Sequence, residues 1–305
     1  MSAPVIALLA HQHPSLVART VRALAPLRVI VHVDGQADIA PFERALRDES
    51  SRVEFTARRV EVGWASISMV RAMTSLLDSA LRTSYFRPSS HLVFLSGACY
   101  PLKPAGEIAA VLGGSPTTQY CRAITVRPSS AEHSWKIDRR HYYELQRSLA
   151  RSPLTPRGAK AVCRSLELLD RRPVRVPRPV YVGSQWIALT RACLESIHDS
   201  ILATAAALEY AFAPDELVFQ TAFHRSAWAA GTQNPDDTRT GRNARPADLS
   251  NLHLLDPSMS KVFSSADFQR IAASDKLFVR KVDPRSAPLL DRIDRRLLGA
   301  AAPYA

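Results

Sequence analysis

The chain has 305 residues, of which 46% are hydrophobic and 22% charged, which is typical of a folded globular protein with a substantial core. Its net charge of +12 suits anionic partners, but no nucleic-acid-binding motif accompanies the charge. The four cysteines lack the paired spacing of a zinc site or a disulfide framework, and no apolar run is long enough for a membrane span or a signal peptide.

The first third of the chain predicts a nucleotide-binding α/β unit. The apolar run Val5–Ala10 is followed by a helical pattern and by a second β-rich run, Val29–Gly35. No GxGxxG motif is present, so a dinucleotide fingerprint is not indicated. Ligands of open α/β sheets bind beyond the carboxyl ends of the strands, which places His11 and Asp34 at the ligand edge. Asp34 fits equally well as a residue that merely opens a turn.

The next elements indicate how the sheet is covered. Val53–Ala57 predicts a third short strand, and the apolar spacing of Ile67–Leu81 predicts an amphipathic helix. His91–Gly97 is apolar enough for a buried central strand. A strand of this kind between helices argues for a mainly parallel sheet with helices on both faces.

The middle of the chain contains a basic and aromatic cluster, Trp135–Tyr143. The cluster could stack against and hydrogen-bond a sugar or a base, or it could be a solvated helix face. Thr118–Arg127 before it predicts another strand. Ser148–Pro179, with a short helix near its centre, is interpreted as an excursion from the sheet, which Tyr181–Leu189 then resumes.

Pro214 predicts the start of a helix, because its missing N–H needs no partner at that position. Asp215 and Glu216 then fall in the first turn, where the helix dipole favours carboxylates. One of them could act as a general base at the floor of a cleft, or both could simply stabilise the helix.

The last part of the chain contains a polar stretch, Gly231–Ala247, a short strand at Leu252–Leu255 and a small helix over Ser264–Ile271. Leu277–Pro284 then brackets the paired cations Arg280-Lys281 with apolar residues. Adjacent cations on an ordered segment suit a diphosphate, although an ordinary surface pair has the same sequence.

Taken together, these motifs resemble the core-2/I-branching and peptide xylosyltransferase family of inverting glycosyltransferases, family 14. The matching residues occur in the family's order and cover nearly the whole chain. They are Ala10-His11, Val31-His32-Val33-Asp34, Val62-Gly63-Trp64-Ala65-Ser66, Leu95-Ser96-Gly97 with Tyr100-Pro101-Leu102-Lys103, Gly183-Ser184-Gln185-Trp186, Pro214-Asp215-Glu216 and Leu277-Phe278-Val279-Arg280-Lys281.

The resemblance implies an α/β chain with a Rossmann-like glycosyltransferase A fold, in one domain over residues 1–305. Its nucleotide-binding half would cover about residues 1–115, its acceptor-binding half about 116–260 and a diphosphate-binding segment about 261–305. The implied reaction moves a sugar, expected to be N-acetylglucosamine ahead of xylose or glucose, from a UDP-sugar to a hydroxyl of a glycan or small natural product. The product linkage is β, and neither a metal nor another cofactor is expected.

The resemblance also assigns roles to residues. Glu216 matches the catalytic base, and Arg280 with Lys281 matches the basic pair that grips the diphosphate. Inversion needs one base and positive charge beneath the leaving UDP, which this set supplies. The remaining donor-side positions are His11, Asp34, Trp64 and Ser96. The expected acceptor-side positions are Trp135, Arg140, Ser184, Gln185, Trp186 and Asp215.

Three departures from the family pattern stand out. Cys99 replaces a common acidic residue before Tyr-Pro, which puts one donor contact in doubt. Gln185 replaces the acidic residue of the xylosyltransferase branch and argues against that branch's catalytic arrangement. The membrane anchor and paired cysteines of Golgi members are missing, so a bacterial cytoplasmic enzyme, in contact with the inner membrane surface at most, is expected.

Two other classes of function fit some of these features. The protein could be a nucleotide-sugar-binding module that has lost turnover, which would account for Cys99 in place of an acidic residue. It could also be a nucleic-acid-binding protein, which would account for the positive net charge. Saturable UDP binding would exclude the second as the main role, whereas steeply salt-dependent binding to unrelated duplexes would favour it. The sequence predicts a UDP-sugar and an acceptor as partners and no nucleic acid.

Overall fold

The computed structural model describes residues 2–126, 133–149, 155–231 and 244–299. Its strands are β1 (Val5–Ala10), β2 (Arg28–Val33), β3 (Val53–Phe55), β4 (His91–Ser96), β5 (Cys99–Pro101), β6 (Ala123–Thr125), β7 (Tyr181–Gly183), β8 (Ala188–Thr190), β9 (His253–Leu255) and β10 (Phe278–Arg280). Its helices are α1 (Pro14–Ala23), α2 (Ala40–Ala45), α3 (Ile67–Leu81), α4 (Ala105–Gly113), α5 (Tyr143–Leu149), α6 (Pro156–Leu169), α7 (Arg191–Ala207), α8 (Val218–His224), α9 (Phe268–Ala272) and α10 (Ala287–Arg296).

The central sheet has five strands in the order β3-β2-β1-β4-β8. The first four are mutually parallel, and β8 runs antiparallel to β4 at the edge. Successive side chains of β1 enter opposite cores: Val5, Ala7 and Leu9 pack with α3, α7 and α8, whereas Ile6 and Leu8 pack with α1, α2 and α4. Both faces of the sheet are therefore buried, which confirms the predicted mainly parallel α/β sheet covered by helices.

Two predicted strands take a different form. Ala123–Thr125 and Tyr181–Gly183 pair with each other in a separate two-stranded sheet, so Thr118–Arg127 and Tyr181–Leu189 are not continuous strands of the central sheet. The chain breaks after Gly183 because the Ser184 hydroxyl accepts a hydrogen bond from the Trp186 backbone N–H at 3.2 Å. β8 alone then joins the central sheet. Arg127 lies outside the described residues, as do residues 232–243 of the polar stretch.

The C-terminal segment is tied to the rest of the fold by a third core. β10 pairs antiparallel with β5 and parallel with β9 in a three-stranded sheet. Around it Tyr100, Phe263, Val279 and Leu289 are completely buried. Each such side chain contributes roughly 1.5–3 kcal/mol of burial free energy, so the segment after β9 is an integral part of the fold. This packing fixes the position of Arg280 at the end of β10.

The four cysteines are free and buried. Within the described residues, no helix combines the length and apolar character needed to cross a membrane.

Candidate active site

Three predicted donor residues lie at the carboxyl edge of the central sheet. His11 follows β1, Asp34 follows β2 and Ser96 ends β4, and β1 lies between the other two strands. Partial burial lowers the pKa of His11; Asp34 opposes this shift, whereas Arg280 and Lys281 add to it. The parallel topology and the C-terminal strand thus bring residues from four separate parts of the sequence to one edge.

Asp34 has a structural role in the turn at this edge. Its Oδ1 accepts hydrogen bonds from the backbone N–H of Gln36 at 2.8 Å and from that of Val62 at 3.3 Å. The structure therefore has Asp34 in the turn-opening position that the sequence allowed. The same contacts hold the Val62–Ser66 loop beside the sheet edge, so Asp34 shapes the cleft whether or not it also touches a ligand.

Arg280 is held from two sides. Its guanidinium lies over the ring of Trp186, with Cζ 4.5 Å from the ring centroid, and it donates a hydrogen bond to Ser96 Oγ. Burial lowers the pKa of Arg280, against the influence of Cys99 and Asp215. Burial and the neighbouring Arg280 also lower the pKa of Lys281. Two cations confined this closely repel each other, and an anion between them would relieve that repulsion.

Trp186, predicted on the acceptor side, is 3% exposed and forms the floor beneath Arg280. The ring of His253 packs beside it at 5.6 Å and stacks on Phe278 at 5.1 Å. Cys99, which stands where the family pattern commonly has an acidic residue, also lies beside Arg280. It is fully buried against Ser96 and Arg280. These neighbours give the guanidinium one orientation.

Glu216 lies in a 3-10 turn, Pro214–Glu216, that precedes α8. The predicted helix start at Pro214 is present, but the α-helix itself begins at Val218, because Leu217 with φ −122° interrupts the helical backbone. Glu216 Oε2 accepts a charged hydrogen bond from Lys136 Nζ at 2.8 Å. Lys136 is 5% exposed, so the ion pair is largely shielded from water.

Asp215, next to Glu216 in the turn, interacts electrostatically with the Lys136–Glu216 ion pair and with Arg280 at the sheet edge. Burial is the largest cause that raises the pKa of Asp215 above its ordinary value, and the adjacent Glu216 raises it further. Lys136 and Arg280 both act in the opposite direction, so both lie within electrostatic reach of Asp215. Asp215, adjacent to the candidate base Glu216, is therefore close enough to Arg280 for their charges to interact.

The loops that carry these groups have an unusual backbone. Ala65 and Ala213 adopt the left-handed conformation, with φ of 54° and 47°, and the Ala213 N–H donates to the Ala65 carbonyl at 3.1 Å. Non-glycine residues in this region cost free energy, which the surrounding structure must offset. The pair joins the Trp64 loop to the Pro214–Glu216 turn. Such strain is common where geometry serves a site.

An aromatic cluster surrounds Phe212 on the same side of the molecule. Trp64, Trp135, His141 and Tyr143 have ring centroids 4.5–5.7 Å from that of Phe212. Trp64, predicted on the donor side, and Trp135, predicted on the acceptor side, thus belong to one cluster. Trp64 is 75% exposed and lines a cleft of about 440 Å³. The lining residues are Gln36, Val62, Gly63, Trp64, Tyr143, Gln146, Arg147 and Lys160.

Three other predicted acceptor residues have contacts elsewhere. Arg140 lies 3.9 Å from the Asp170 carboxylate and packs over the Tyr210 ring. Ser184 and Gln185 are 3% and 9% exposed, and their contacts brace the link between β7 and β8. The structure therefore brings Trp135, Trp186 and Asp215 close to the site, and it directs Arg140, Ser184 and Gln185 into supporting contacts.

Two contributors to the site were not singled out from the sequence. Lys136 belongs to the basic and aromatic cluster, but its pairing with Glu216 joins residues 80 positions apart, and no local pattern signals it. Glu144 is the second: it accepts hydrogen bonds from Ser66 Oγ at 2.6 Å, from the Ser68 N–H at 3.1 Å and from Arg147 at 2.7 Å. It thereby caps α3 from a neighbouring helix.

The contacts of Glu144 predict a pH-dependent stability. Partial burial raises its pKa, but the hydrogen bonds from Ser66, Arg147 and Ser68 outweigh burial and lower the pKa to about 2. A carboxylate with a lowered folded-state pKa stabilises the fold above its unfolded pKa, and this contribution is lost as the pH falls through about 2. Glu144→Gln should therefore cost roughly 2–3 kcal/mol near neutral pH and much less near pH 2, measured by denaturant unfolding across pH. A pH-independent difference would contradict this assignment.

Within the described residues, no three histidine, cysteine or acidic side chains are arranged to hold a metal ion. A comparison with curated proteins finds no match. The sequence profile of the family described as Core-2/I-Branching enzyme matches residues 15–246, about three quarters of the chain. The matched range includes the Trp64 loop and the Pro214–Glu216 turn and ends before β10. The chain therefore belongs to the core-2/I-branching family of glycosyltransferases.

Proposed function

We propose that this protein is an inverting, metal-independent glycosyltransferase that uses a UDP-sugar, with N-acetylglucosamine as the sugar. Glu216 is the general base. Arg280 and Lys281 hold the diphosphate, with His11, Asp34 and Ser96 at the same edge of the sheet. The acceptor is a hydroxyl of a glycan or small natural product, and the product is a β-glycoside.

One observation carries this proposal: Gln220 of α8, the helix that follows the Glu216 turn, donates a hydrogen bond at 2.7 Å to the Ser184 carbonyl, in the segment whose Trp186 ring lies beneath Arg280. An inverting transfer requires a base and a cation on opposite sides of the same reacting carbon. The turn that holds Glu216 and the segment beneath Arg280 are thus in contact, which is compatible with this requirement. A helix-capping carboxylate and a surface cation would have no reason to converge.

The reaction follows from this arrangement. Glu216 removes the proton of the acceptor hydroxyl, whose oxygen attacks the anomeric carbon of the donor sugar. The bond from that carbon to the UDP oxygen breaks, and the electron pair leaves with the diphosphate, next to Arg280 and Lys281. Attack from the face opposite the leaving group converts the α-linked donor into a β-linked product.

The Lys136–Glu216 ion pair fits the role of the base. Lys136 occupies Glu216 Oε2, and among the described residues no hydrogen bond reaches Oε1, which remains available for the acceptor hydroxyl. A short ion pair at one oxygen restricts the carboxylate to one orientation. Orientation of the base relative to the acceptor is a major part of its catalytic effect.

The direct test is to incubate the protein with UDP-N-acetylglucosamine, UDP-xylose and UDP-glucose and to measure the slow release of UDP. Acceptor trials then use the donor that is hydrolysed fastest. Hydrolysis of one donor, followed by transfer with a β-configured product, would support the proposal. Binding of UDP without hydrolysis or transfer would favour a non-catalytic binding module, and failure to bind UDP would reject both.

Turnover is expected to persist in excess EDTA, because side chains rather than an ion neutralise the leaving diphosphate. Initial rates with the best donor, with and without EDTA, measure this directly. A manganese-dependent glycosyltransferase in the same buffer shows whether chelation is complete. Loss of turnover that is restored by manganese or magnesium would contradict the assignment to Arg280 and Lys281.

A further inference from the structure

Helix α6 exposes most of its side chains to solvent. Ala159 and Cys163 are its buried residues. Arg157 and Arg164 are seven residues apart and so form one stripe along the helix, and Val162 and Leu169, also seven apart, form another. The exposed surface of the helix is therefore both basic and apolar.

The apolar part of this surface is unusually accessible. Leu169 is 82% exposed, Leu168 61% and Val162 40%. Leu169 also lines a shallow groove with Leu166, Asp170, Arg171, Arg172 and Pro173. Single exposed leucines are ordinary on a protein surface, but a group on one helix beside an apolar groove with arginines at its edge indicates a binding surface.

The basic part is a concentration of charge that the described residues around it neutralise only in part. Residues 155–180 contain seven basic and two acidic side chains, a net charge of +5 out of +12 for the whole chain. The two acids already have partners: Glu167 lies 3.7 Å from His141, and Asp170 binds Arg172 at 2.6 Å. In the part of the chain that the structure describes, five of the cations make no ion pair or side-chain hydrogen bond. These are Arg157, Lys160, Arg164, Arg171 and Arg175.

We propose that α6 and residues 170–178, together called the basic face, form a docking surface for an anionic phospholipid membrane. The cations meet the lipid headgroups, and Leu168 and Leu169 enter the boundary between headgroups and acyl chains. A nucleic acid would use the cations but offers no favourable environment for exposed leucines, and a binding surface for single strands would present aromatic rings for base stacking. The combination of charge and aliphatic side chains favours the membrane.

The basic face adjoins the Trp64 cleft. Lys160 belongs both to the basic face and to the lining of the Trp64 cleft. A membrane bound to this face would therefore lie beside the entrance of the cleft. The inference does not depend on the proposed role of Glu216, because membrane binding is measured without donor or acceptor.

The test is sedimentation of the full-length protein with vesicles of phosphatidylcholine alone and of phosphatidylcholine with phosphatidylglycerol, at low and high salt. Binding to the anionic vesicles that weakens with salt is expected. A triple variant of the basic face should bind about 100-fold more weakly, since each cation near the surface contributes about fivefold. The variant is Arg157→Gln, Arg164→Gln and Arg171→Gln.

A matched triple variant removes the same charge from exposed positions on α1, on α2 and in the turn after α2, and it should bind almost as the wild type. It is Arg22→Gln, Arg44→Gln and Arg47→Gln. Leu168→Ser with Leu169→Ser should lose about tenfold in binding, most clearly at high salt, where the apolar contribution dominates. The matched apolar control, Val111→Ser with Leu202→Ser, changes residues that are 42% and 46% exposed.

Thermal unfolding of each variant checks that it is folded. Equal losses in the two arginine triples would overturn the proposal, because overall charge would then explain the binding. So would the absence of binding to anionic vesicles, unchanged binding of the leucine variant, or tighter binding to duplex DNA or single-stranded RNA than to vesicles at the same salt.

Discussion

Replacing Glu216 by glutamine is expected to lower turnover by about two or more orders of magnitude, because the amide cannot accept the acceptor's proton. Glutamine keeps the size of the side chain, and its amide oxygen can still accept the hydrogen bond from Lys136 Nζ. The affinity for UDP should change little, because the lost function concerns the acceptor. The measurement is steady-state transfer with the best donor and acceptor, together with calorimetry of UDP binding.

Asp215→Asn is the matched control, since it removes the neighbouring carboxylate from the same 3-10 turn. It should cost much less turnover than Glu216→Gln. If Glu216→Gln retains near-wild-type turnover while the chemical step limits the rate, Glu216 serves to stabilise the turn and the proposed mechanism is wrong. If Asp215→Asn abolishes turnover and Glu216→Gln does not, the base is Asp215 and not Glu216.

Removal of either cation of the C-terminal pair is expected to weaken UDP far more than uridine, because uridine has no phosphates to hold. Arg280 can bind two phosphate oxygens at once, whereas Lys281 acts as a compact charge. Each lost contact should cost roughly 1.5–3 kcal/mol, the usual range for hydrogen bonds to charged groups. Turnover should also fall, because the cation meets charge that develops as UDP leaves.

Calorimetry of UDP and uridine with Arg280→Ala and Lys281→Ala measures these losses. Arg285→Ala is a suitable control: it removes a cation from the same segment, but Arg285 is 80% exposed and pairs with Asp283. It should leave both affinities unchanged. Equal losses of UDP and uridine affinity for Arg280→Ala would indicate a folding defect. If neither affinity falls, Arg280 and Lys281 do not bind the diphosphate.

Trp186 offers a way to test whether the orientation of Arg280 matters as well as its charge. Arg280 lies 4.5 Å from the Trp186 ring, and the next ring of the stack belongs to His253. The predicted acceptor role of Trp186 would show as a raised KM for the acceptor when Trp186 is replaced by leucine. A role through Arg280 would show as weaker UDP binding with uridine affinity retained.

Local pattern determined much of the fold. The apolar runs at Val5–Ala10 and His91–Gly97 predicted strands, which the structure has over Val5–Ala10 and His91–Ser96, and the spacing of Ile67–Leu81 predicted a helix that it has over the same residues. These predictions are confirmed because burial on both faces of a sheet and helical periodicity both appear as patterns of apolar residues along a short stretch of sequence. Glu216 and the Arg280-Lys281 pair were singled out because each lies in a short motif, and their roles stay predictions.

Tertiary structure decided what those residues do for each other. The Lys136–Glu216 ion pair spans 80 positions, and the hydrogen bond from Arg280 to Ser96 spans 184. The separation of β7 from β8 likewise depends on the Ser184 and Trp186 contact and not on strand propensity. Pairing between distant residues depends on how the sheet edge and the C-terminal strand pack. Such packing cannot be inferred from the pattern of neighbouring residues. The sequence by itself therefore determined the first strands of the central sheet, the main helix and the chemical groups, whereas only the fold placed Lys136 on Glu216 and Arg280 on Ser96.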